Sequence, residues 1–169
     1  MPRYLNVAER AMRALEGRLN TIRPENGYNT VVQRIERLRQ APSTPPNPET
    51  IYIIPQQGEP FPWCNDREYE RRTVQIWFTA GRAQGLDTEY QLMKSDIKRC
   101  LMTDIQDPTH PCPNQALIYM EYLRDVPMFM DETEPYVMGM VEYQMTYCYT
   151  LGDDRLWDDL GDDLVEVVE

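Results

Sequence analysis

The stretch from Glu70 to Thr79 constrains the fold more than any other part of the chain, because its side chains alternate in character. Arg72, Val74, Ile76 and Phe78 fall on one side of an extended chain, and Thr73, Gln75, Trp77 and Thr79 fall on the other. Successive side chains of a β-strand point to opposite faces of its sheet. The alternation therefore predicts a strand with one apolar, core-facing side, and such a strand needs neighbouring strands to pair with.

Further segments supply those neighbours. Ile51 to Ile54 is a run of apolar β-formers, Gln115 to Leu123 alternates, and Tyr136 to Thr150 predicts one long strand. The residues predicted to share a face of this long strand are Val137, Val141, Tyr143, Met145, Tyr147 and Tyr149. Thr30 to Leu38 predicts a further strand or a short extended arm. We expect a mixed or antiparallel sheet of about four to five strands.

Two segments have the spacing of three and four that is typical of amphipathic helices. The first runs from Val7 to Ile22, and its apolar positions are Ala8, Ala11, Met12, Leu15, Leu19 and Ile22. The second begins at a cap supplied by Asp87 or Thr88 and is ended by Pro108 and Pro111. Its apolar positions are Leu86, Tyr90, Met93, Ile97, Leu101 and Ile105. The two helices would cover one face of the sheet, which gives a two-layer α+β fold.

Proline positions predict stiff, extended connections, because proline fixes its backbone torsion and lacks an N–H donor. The chain contains 14 prolines, several of them between residues 41 and 49 and between Pro55 and Asp66. We expect long Pro-rich loops here and around residue 128. Two of these loops would present apolar surface on a rigid backbone through Phe61, Trp63, Met128 and Phe129.

Charge is distributed unevenly along the sequence. Residues 1–40 carry eight arginines and four glutamates, residues 41–151 carry eight basic and sixteen acidic groups, and residues 152–169 carry one arginine and eight acids. The total of -11 argues against tight binding of nucleic acid, which needs many contacts from Lys and Arg to phosphate. The sequence also lacks the run of about 20 apolar residues that a membrane span requires, so no membrane association is expected.

Catalytic and metal-binding motifs are not recognisable in the sequence. His110 is the single histidine, and it could bind zinc with Cys112 and with Cys64 or Cys100 only if the fold brought them together. A Pro-rich turn explains His110 and Cys112 more simply, and Cys100 and Cys148 fit small core positions. We therefore expect no cofactor, no metal and no enzymatic activity. A metal-dependent hydrolase built on His110, Cys112 and Asp or Glu ligands is the third-ranked alternative.

The sequence divides into one domain over residues 1–151 and an acidic tail over residues 152–169. The tail combines eight carboxylates with Leu156, Trp157, Leu160 and Leu164. Repulsion between the carboxylates and the small apolar content disfavour folding of this segment alone. It is therefore predicted to dock on an adjoining protein and to become ordered on assembly.

The order of these elements resembles the tail terminator and tail completion proteins of tailed bacteriophages, over residues 7 to 150. The resemblance lies in the N-terminal helix, the turn Gly27-Tyr28-Asn29-Thr30, the Arg72-x-Val74-x-Ile76 strand, the helix with Asp96-Ile97-Lys98-Arg99-Cys100-Leu101, and the long last strand. It implies a small α+β subunit that closes into a homohexameric ring, caps the tail tube and joins it to the neck, with no catalytic residues. The acidic extension departs from that compact pattern and leaves open a place in the neck.

The expected partners are therefore other copies of the chain, the tail tube protein and a neck or head-completion protein, with DNA only passing through the lumen. The expected location is the tail-neck junction of the virion, after synthesis in the host cytoplasm. The interface candidates are Arg34, Arg37, Arg39, Phe61, Trp63, Met128, Phe129, Leu156, Trp157, Leu160 and Leu164. The alternatives are a neck or head-completion ring protein, and a small assembly chaperone or binding module whose acidic tail mimics a ligand.

Overall fold

Two α-helices and five β-strands form the part of the chain described by the computed structural model, which comprises residues 7–42, 49–64, 67–81, 85–102, 119–129 and 136–150. In chain order the elements are α1 (Val7–Leu19), a 3-10 turn (Pro24–Asn26), β1 (Arg34–Arg37), β2 (Thr50–Cys64), β3 (Arg67–Gly81), α2 (Leu86–Met102), β4 (Tyr119–Phe129) and β5 (Tyr136–Thr150). The predicted α+β class is confirmed.

All five strands belong to one mixed sheet in the order β1-β2-β3-β5-β4. β1 runs parallel to β2, and the other three pairings are antiparallel. β3 and β5 pair along their whole length, from Arg67 opposite Thr150 to Gly81 opposite Tyr136. The centre of the sheet is thus the β3–β5 pair, and β1 and β4 are its two edges.

The main core lies between one face of this sheet and the two helices. α1 contributes Ala11, Met12, Leu15 and Leu19, and α2 contributes Tyr90, Met93, Ile97, Cys100 and Leu101. The sheet contributes Ile51, Ile53, Val74, Ile76, Phe78, Ala80, Met120, Val137, Val141, Tyr143, Met145 and Tyr147. Most of these positions follow the predicted alternation, so the period of two assigned the faces of β3 and β5 correctly.

A smaller apolar cluster occupies the opposite face of the sheet. It consists of Tyr52, Ile54, Trp77, Met138 and Met140, with Leu38 and Val126 packed against it. A polar network lies beside it. The Trp77 indole donates to Gln75, and the Gln75 amide and the Arg124 guanidinium both donate to the carboxylate of Glu142. Methionine packs on both faces of the sheet, because Met138 and Met140 belong to the smaller cluster and Met145 belongs to the main core.

The rigid loop expected between Pro55 and Asp66 is a wrong prediction, because β2 continues as a strand to Cys64. The register of β2 against β3 shifts between Pro55 and Gly58. Beyond this shift the pairing continues, with Pro60 opposite Glu70 and Phe61 opposite Tyr69. β1 pairs only with the first four residues of β2, so beyond Ile53 no described strand lies on that side. Proline is tolerated in an edge strand where its missing N–H would face outward. The position of this part of β2 at an edge of the sheet therefore explains the error.

The stiff loop expected to carry Met128 and Phe129 is wrong for the same reason. β4 begins within the predicted Gln115–Leu123 segment and runs on to Phe129. Pro127 pairs with Gly139 on the inner side, while the outer side of β4 faces no other described strand. The proline thus occupies an edge position here as well.

The helices differ from the expectation only at their ends. α1 stops at Leu19, although Ile22 remains fully buried in the core. α2 begins at Leu86, one residue before Asp87, so Asp87 and Thr88 lie in its first turn and are not its cap. Neither described helix has the length and apolar character needed to cross a membrane.

Candidate assembly interface

The β1 edge is attached to α1 by a charge cluster centred on Arg37. Its guanidinium Nη1 donates to Glu9 at 2.6 Å and its Nη2 donates to Glu16 at 3.0 Å. Glu9 and Glu16 lie on α1, so this one side chain joins the edge strand to the helix. Burial disfavours the charged form of Glu9, but hydrogen bonds from Arg37 and Arg13 outweigh it and lower the pKa of that carboxyl.

A groove open to solvent lies beside this cluster, between α1 and β1. It has a volume of about 410 Å³ and is lined by Arg13, Glu16, Gly17, Asn20 and Ile35. Gly17 lies inside a helix, and a Cβ atom built on it would meet no atom within 4 Å. The groove is therefore kept wide by a missing side chain, with charged groups and Ile35 along its walls.

The turn that leads from α1 towards β1 is fixed by Asp96 of α2. The Asp96 carboxylate is 1% exposed and accepts four hydrogen bonds, from the backbone N–H groups and the side chains of Asn29 and Thr30, at 2.8 to 3.0 Å. Buried charge is stable only when it is well paired, and these donors supply that pairing. Asp96 thus ties the turn to α2.

Arg99 reinforces the same connection one helical turn later. Its guanidinium donates to the carbonyl of Gly27 at 2.6 Å and lies over the ring of Tyr28, 4.3 Å from the centroid. Gly27 has a φ of 81°, a conformation that glycine adopts without strain. The turn Gly27-Tyr28-Asn29-Thr30 and the α2 segment around Asp96, two of the features that carry the family resemblance, are therefore in direct contact.

The β4 edge is attached to α2 by a second cluster, centred on Asp125. The Asp125 carboxylate accepts hydrogen bonds from the hydroxyls of Tyr122 and Tyr90, and from the ammonium of Lys94 at 3.1 Å. Lys98 Nζ lies 3.7 Å from the centre of the Tyr122 ring. The hydrogen bond from Tyr122 is the main cause of a lowered Asp125 pKa, while burial together with the bond to Asp125 raises the pKa of Tyr122 to about 12.

β4 also has two positions where an extra residue interrupts its pairing with β5. Tyr122 and Arg124 pair with adjacent residues of β5, which leaves Leu123 without a partner, and Pro127 and Phe129 leave Met128 without one. Such bulges are common on edge strands and redirect side chains. Leu123 and Met128 are 41% and 40% exposed and are the exposed large hydrophobic residues of the described part.

The interface candidates from the sequence have different surroundings. Arg34 is exposed beside Glu36, and Arg39 is exposed. Arg37 contacts α1 and is only 28% exposed. Met128 is exposed on β4. The backbones of Phe61, Trp63 and Phe129 lie in strands, but their side chains are outside the described residues, as are Leu156, Trp157, Leu160 and Leu164.

Sequence reasoning missed Gly17, Leu123, Asp96 and Asp125 as interface or anchoring residues. Gly17 had a visible signal, because glycine in a helix interior is unfavourable. Leu123 was assigned to the alternating pattern of its strand, and only the pairing with β5 reveals that Leu123 is an extra residue that interrupts this pattern. Asp96 and Asp125 gave no signal, since their partners are distant in sequence.

Metal-binding geometry is absent from the residues the structure describes, where no three His, Cys, Asp or Glu side chains come together. Cys100 is buried and its thiol donates to the carbonyl of Arg18 at 3.1 Å, in keeping with the predicted core role. His110 and Cys112 lie outside the described residues. The polar clusters of the described residues connect helices to strands and turns.

Comparison of the sequence with protein-family models and with curated proteins finds no match. The function is therefore inferred from the two edges of the sheet, from the charge distribution and from the resemblance.

Proposed function

We propose that the chain is a structural subunit of a tailed bacteriophage, similar in role to a tail terminator. In this role it forms a homo-oligomeric ring, most simply a hexamer, that caps the tail tube and joins it to the neck. The observation that carries the proposal is the unlike character of the two sheet edges: a groove beside β1 and projecting apolar residues on β4. A ring needs two different, complementary patches on each copy.

Charge supports the same arrangement. Residues 1–40, a range that includes α1 and β1, have an excess of four positive charges, and residues 41–151 have an excess of eight negative charges. Surfaces of opposite sign favour head-to-tail association and disfavour contact between identical patches. An acidic lumen would also let DNA pass without adhering, because like charges repel.

The resemblance supports it independently of the edges. Two of the features that carry it, the Gly27–Thr30 turn and the Asp96–Leu101 segment, make direct contacts that set the path of the chain into β1. These residues hold the turn against α2, and the resemblance implies no catalytic residues among them. We accordingly propose a protein without enzymatic activity, made in the host cytoplasm and retained in the virion at the tail-neck junction.

A neck or head-completion ring is the second candidate, and the acidic segment over residues 152–169 favours it, because this segment departs from the compact family pattern. The two candidates share the ring and differ in the adjoining protein. An assembly chaperone would instead remain a monomer or dimer bound to a client.

Negative-stain microscopy of the purified full chain, with and without tail tubes, tests the proposal. A terminator should form rings that stack on the end of the tube, and a neck protein should form rings that bind only a capped tube or a portal. A protein that stays monomeric both alone and in the presence of tubes would contradict both candidates.

A further inference from the structure

The β4 edge presents apolar side chains that the other described residues leave exposed. Leu123 and Met128 are the bulge residues of this strand, and each is about two-fifths exposed. A bulge on an edge strand interrupts continuous pairing and so works against uncontrolled addition of further strands. The same bulges leave two large apolar groups in water at a defined edge, where a partner with a matching recess would cover them.

The groove between α1 and β1 is such a recess at the opposite edge. Gly17 in α1 costs about 0.5–1 kcal/mol of stability relative to alanine. Within the described residues a Cβ atom at this position would meet no atom within 4 Å, so internal packing there does not require the glycine. A helix that keeps an unfavourable glycine beside an open groove of about 410 Å³ with Ile35 in its wall is suited to receive a side chain from outside.

Charges around the two features are complementary. Glu121 is exposed on β4, two residues before Leu123, and Arg13 lines the groove with its side chain 41% exposed. Arg34, on the adjoining edge strand, is 63% exposed. β4 also carries Arg124, whose side chain is 62% exposed, and the groove wall also contains Glu16. A copy that offered its β4 edge to this groove would therefore bring Glu121 towards an arginine and Arg124 towards Glu16.

We infer that the β4 edge of one copy docks on the α1–β1 groove of the next, with Leu123 or Met128 inserted beside Gly17. This inference rests on the proposed ring and deepens it by naming the two surfaces that meet. β1 and β4 lie at opposite ends of the sheet order, so each contact leaves the second surface of each copy free for another neighbour. Repetition of one such contact closes a ring when the rotation permits it.

Two kinds of variant block the two surfaces separately. Leu123→Asp with Met128→Asp removes the apolar groups of β4, and Gly17→Leu places a large side chain in the groove at a position where a Cβ atom meets no atom within 4 Å. Burial of one large apolar side chain corresponds to about 10- to 100-fold in affinity, so each variant should weaken self-association by that factor in analytical ultracentrifugation. Ser95→Asp and Gln91→Leu place the same groups at exposed positions of α2 and serve as matched controls.

Mixing the blocked variants gives the decisive result. The Gly17→Leu copy retains its β4 edge, and the Leu123→Asp, Met128→Asp copy retains its groove, so together they should form 1:1 heterodimers and nothing larger. Thermal unfolding identifies a variant that fails to fold, and Gly17→Leu is expected to melt no lower than the wild-type chain. Blocked variants that assemble like the wild-type ring would overturn this inference alone, whereas a wild-type chain that never assembles would overturn the proposed ring as well.

Discussion

At each edge of the sheet a charged side chain of the edge strand contacts one helix, and the charge of that side chain is positive at β1 and negative at β4. At the β1 edge a cation, Arg37, lies between two carboxylates of α1, and at the β4 edge an anion, Asp125, receives donors from Tyr90 and Lys94 of α2. Each edge strand is thus joined to one helix through a central charged side chain, in addition to its apolar contacts with the core. The surfaces that result are different: β1 borders a groove, and β4 carries two bulges with exposed apolar residues.

This difference teaches that an edge strand can be shaped for one partner. A long, flat, unprotected edge invites pairing with any other chain. β1 has only four residues, the part of β2 that extends beyond it contains three prolines, and β4 is interrupted twice. Neither side of the sheet therefore offers a long continuous ladder to a stray strand. The charge clusters help to fix the position of each edge, and in the proposed ring the groove and the bulges would make the contact specific.

Removal of the Asp96 carboxylate should have the largest effect, and it should act on the β1 side alone. Asp96→Ala leaves the four donors of Asn29 and Thr30 without their acceptor. Because each hydrogen bond to a charged group contributes about 1.5–3 kcal/mol, we expect a combined loss of about 3–5 kcal/mol. Chemical denaturation of the variant measures this loss. Asp87→Ala, an exposed position on the same helix, should cost less than about 1 kcal/mol. Equal losses in the two variants would contradict the role of Asp96.

Removal of Asp125 should release β4 from α2. Asp125→Ala leaves two tyrosine hydroxyls and Lys94 without their acceptor, and we expect a loss of about 2–3 kcal/mol. Hydrogen exchange should show faster exchange in β4 than in β1. The control is Glu121→Ala on the same strand, which should leave both the stability and the exchange of β4 nearly unchanged. Faster exchange at both edges would mean that they are not held independently.

The contribution of Asp125 should depend on pH in a defined direction. Its pKa is lowered from the ordinary value of 3.8, so the folded state binds its proton less readily than the unfolded state. The stabilisation is therefore present above the ordinary pKa and is lost as pH falls through the lower, folded value. Melting curves between about pH 5 and about pH 2 should bring the wild-type chain and Asp125→Asn closer together as acid is added. A difference that widens in acid would be incompatible with this assignment.

At the β1 edge, Arg37→Ala should cost less than the loss of Asp125, about 1–2 kcal/mol, because its side chain is partly solvated. The matched control is Arg34→Ala on the same strand, whose more exposed ion pair should contribute less than about 0.5 kcal/mol. Urea denaturation of both variants gives the comparison. If Arg34→Ala costs as much as Arg37→Ala, the contact with α1 does not anchor this edge.

The smallest effect is a gain in stability at the groove. Gly17→Ala should raise the stability of the chain by about 0.5–1 kcal/mol, because alanine restricts the unfolded chain and its Cβ has room in the folded one. Gly139→Ala is the contrasting variant. Its Cβ would lie 2.3 Å from a ring carbon of Tyr90, so it should destabilise the core. A loss of stability in Gly17→Ala would show that the glycine serves the fold.

The sequence predicted the elements whose pattern is set by burial. β3 and β5 alternate because one face packs on the helices, and α1 and α2 have apolar positions that meet in the same core. Their faces could therefore be assigned before the topology was known. The main errors fell on β2 and β4, where prolines at positions 55, 60, 62 and 127 suggested loops. A proline is compatible with a strand only at an edge, and which strands form the edges follows from pairing across distant residues.

The candidate interface could be predicted less well, for the same reason. Met128 was expected to be exposed on a loop and is instead exposed on a strand, as the extra residue of a bulge that no local pattern reveals. Arg37 was expected to meet a neighbouring copy and contacts α1, because only the fold brings Glu9 and Glu16 within its reach. Charge type indicated the region, and the partner of each charge depended on the tertiary structure.

A three-dimensional reconstruction of the assembled chain on tail tubes, at a resolution that separates β-strands, tests the central claim most directly. We expect a closed ring in which β4 of every copy lies against α1 and β1 of the next, with Leu123 or Met128 beside Gly17. A ring joined through other surfaces, with the β4 edge and the groove both open to solvent, would contradict this account.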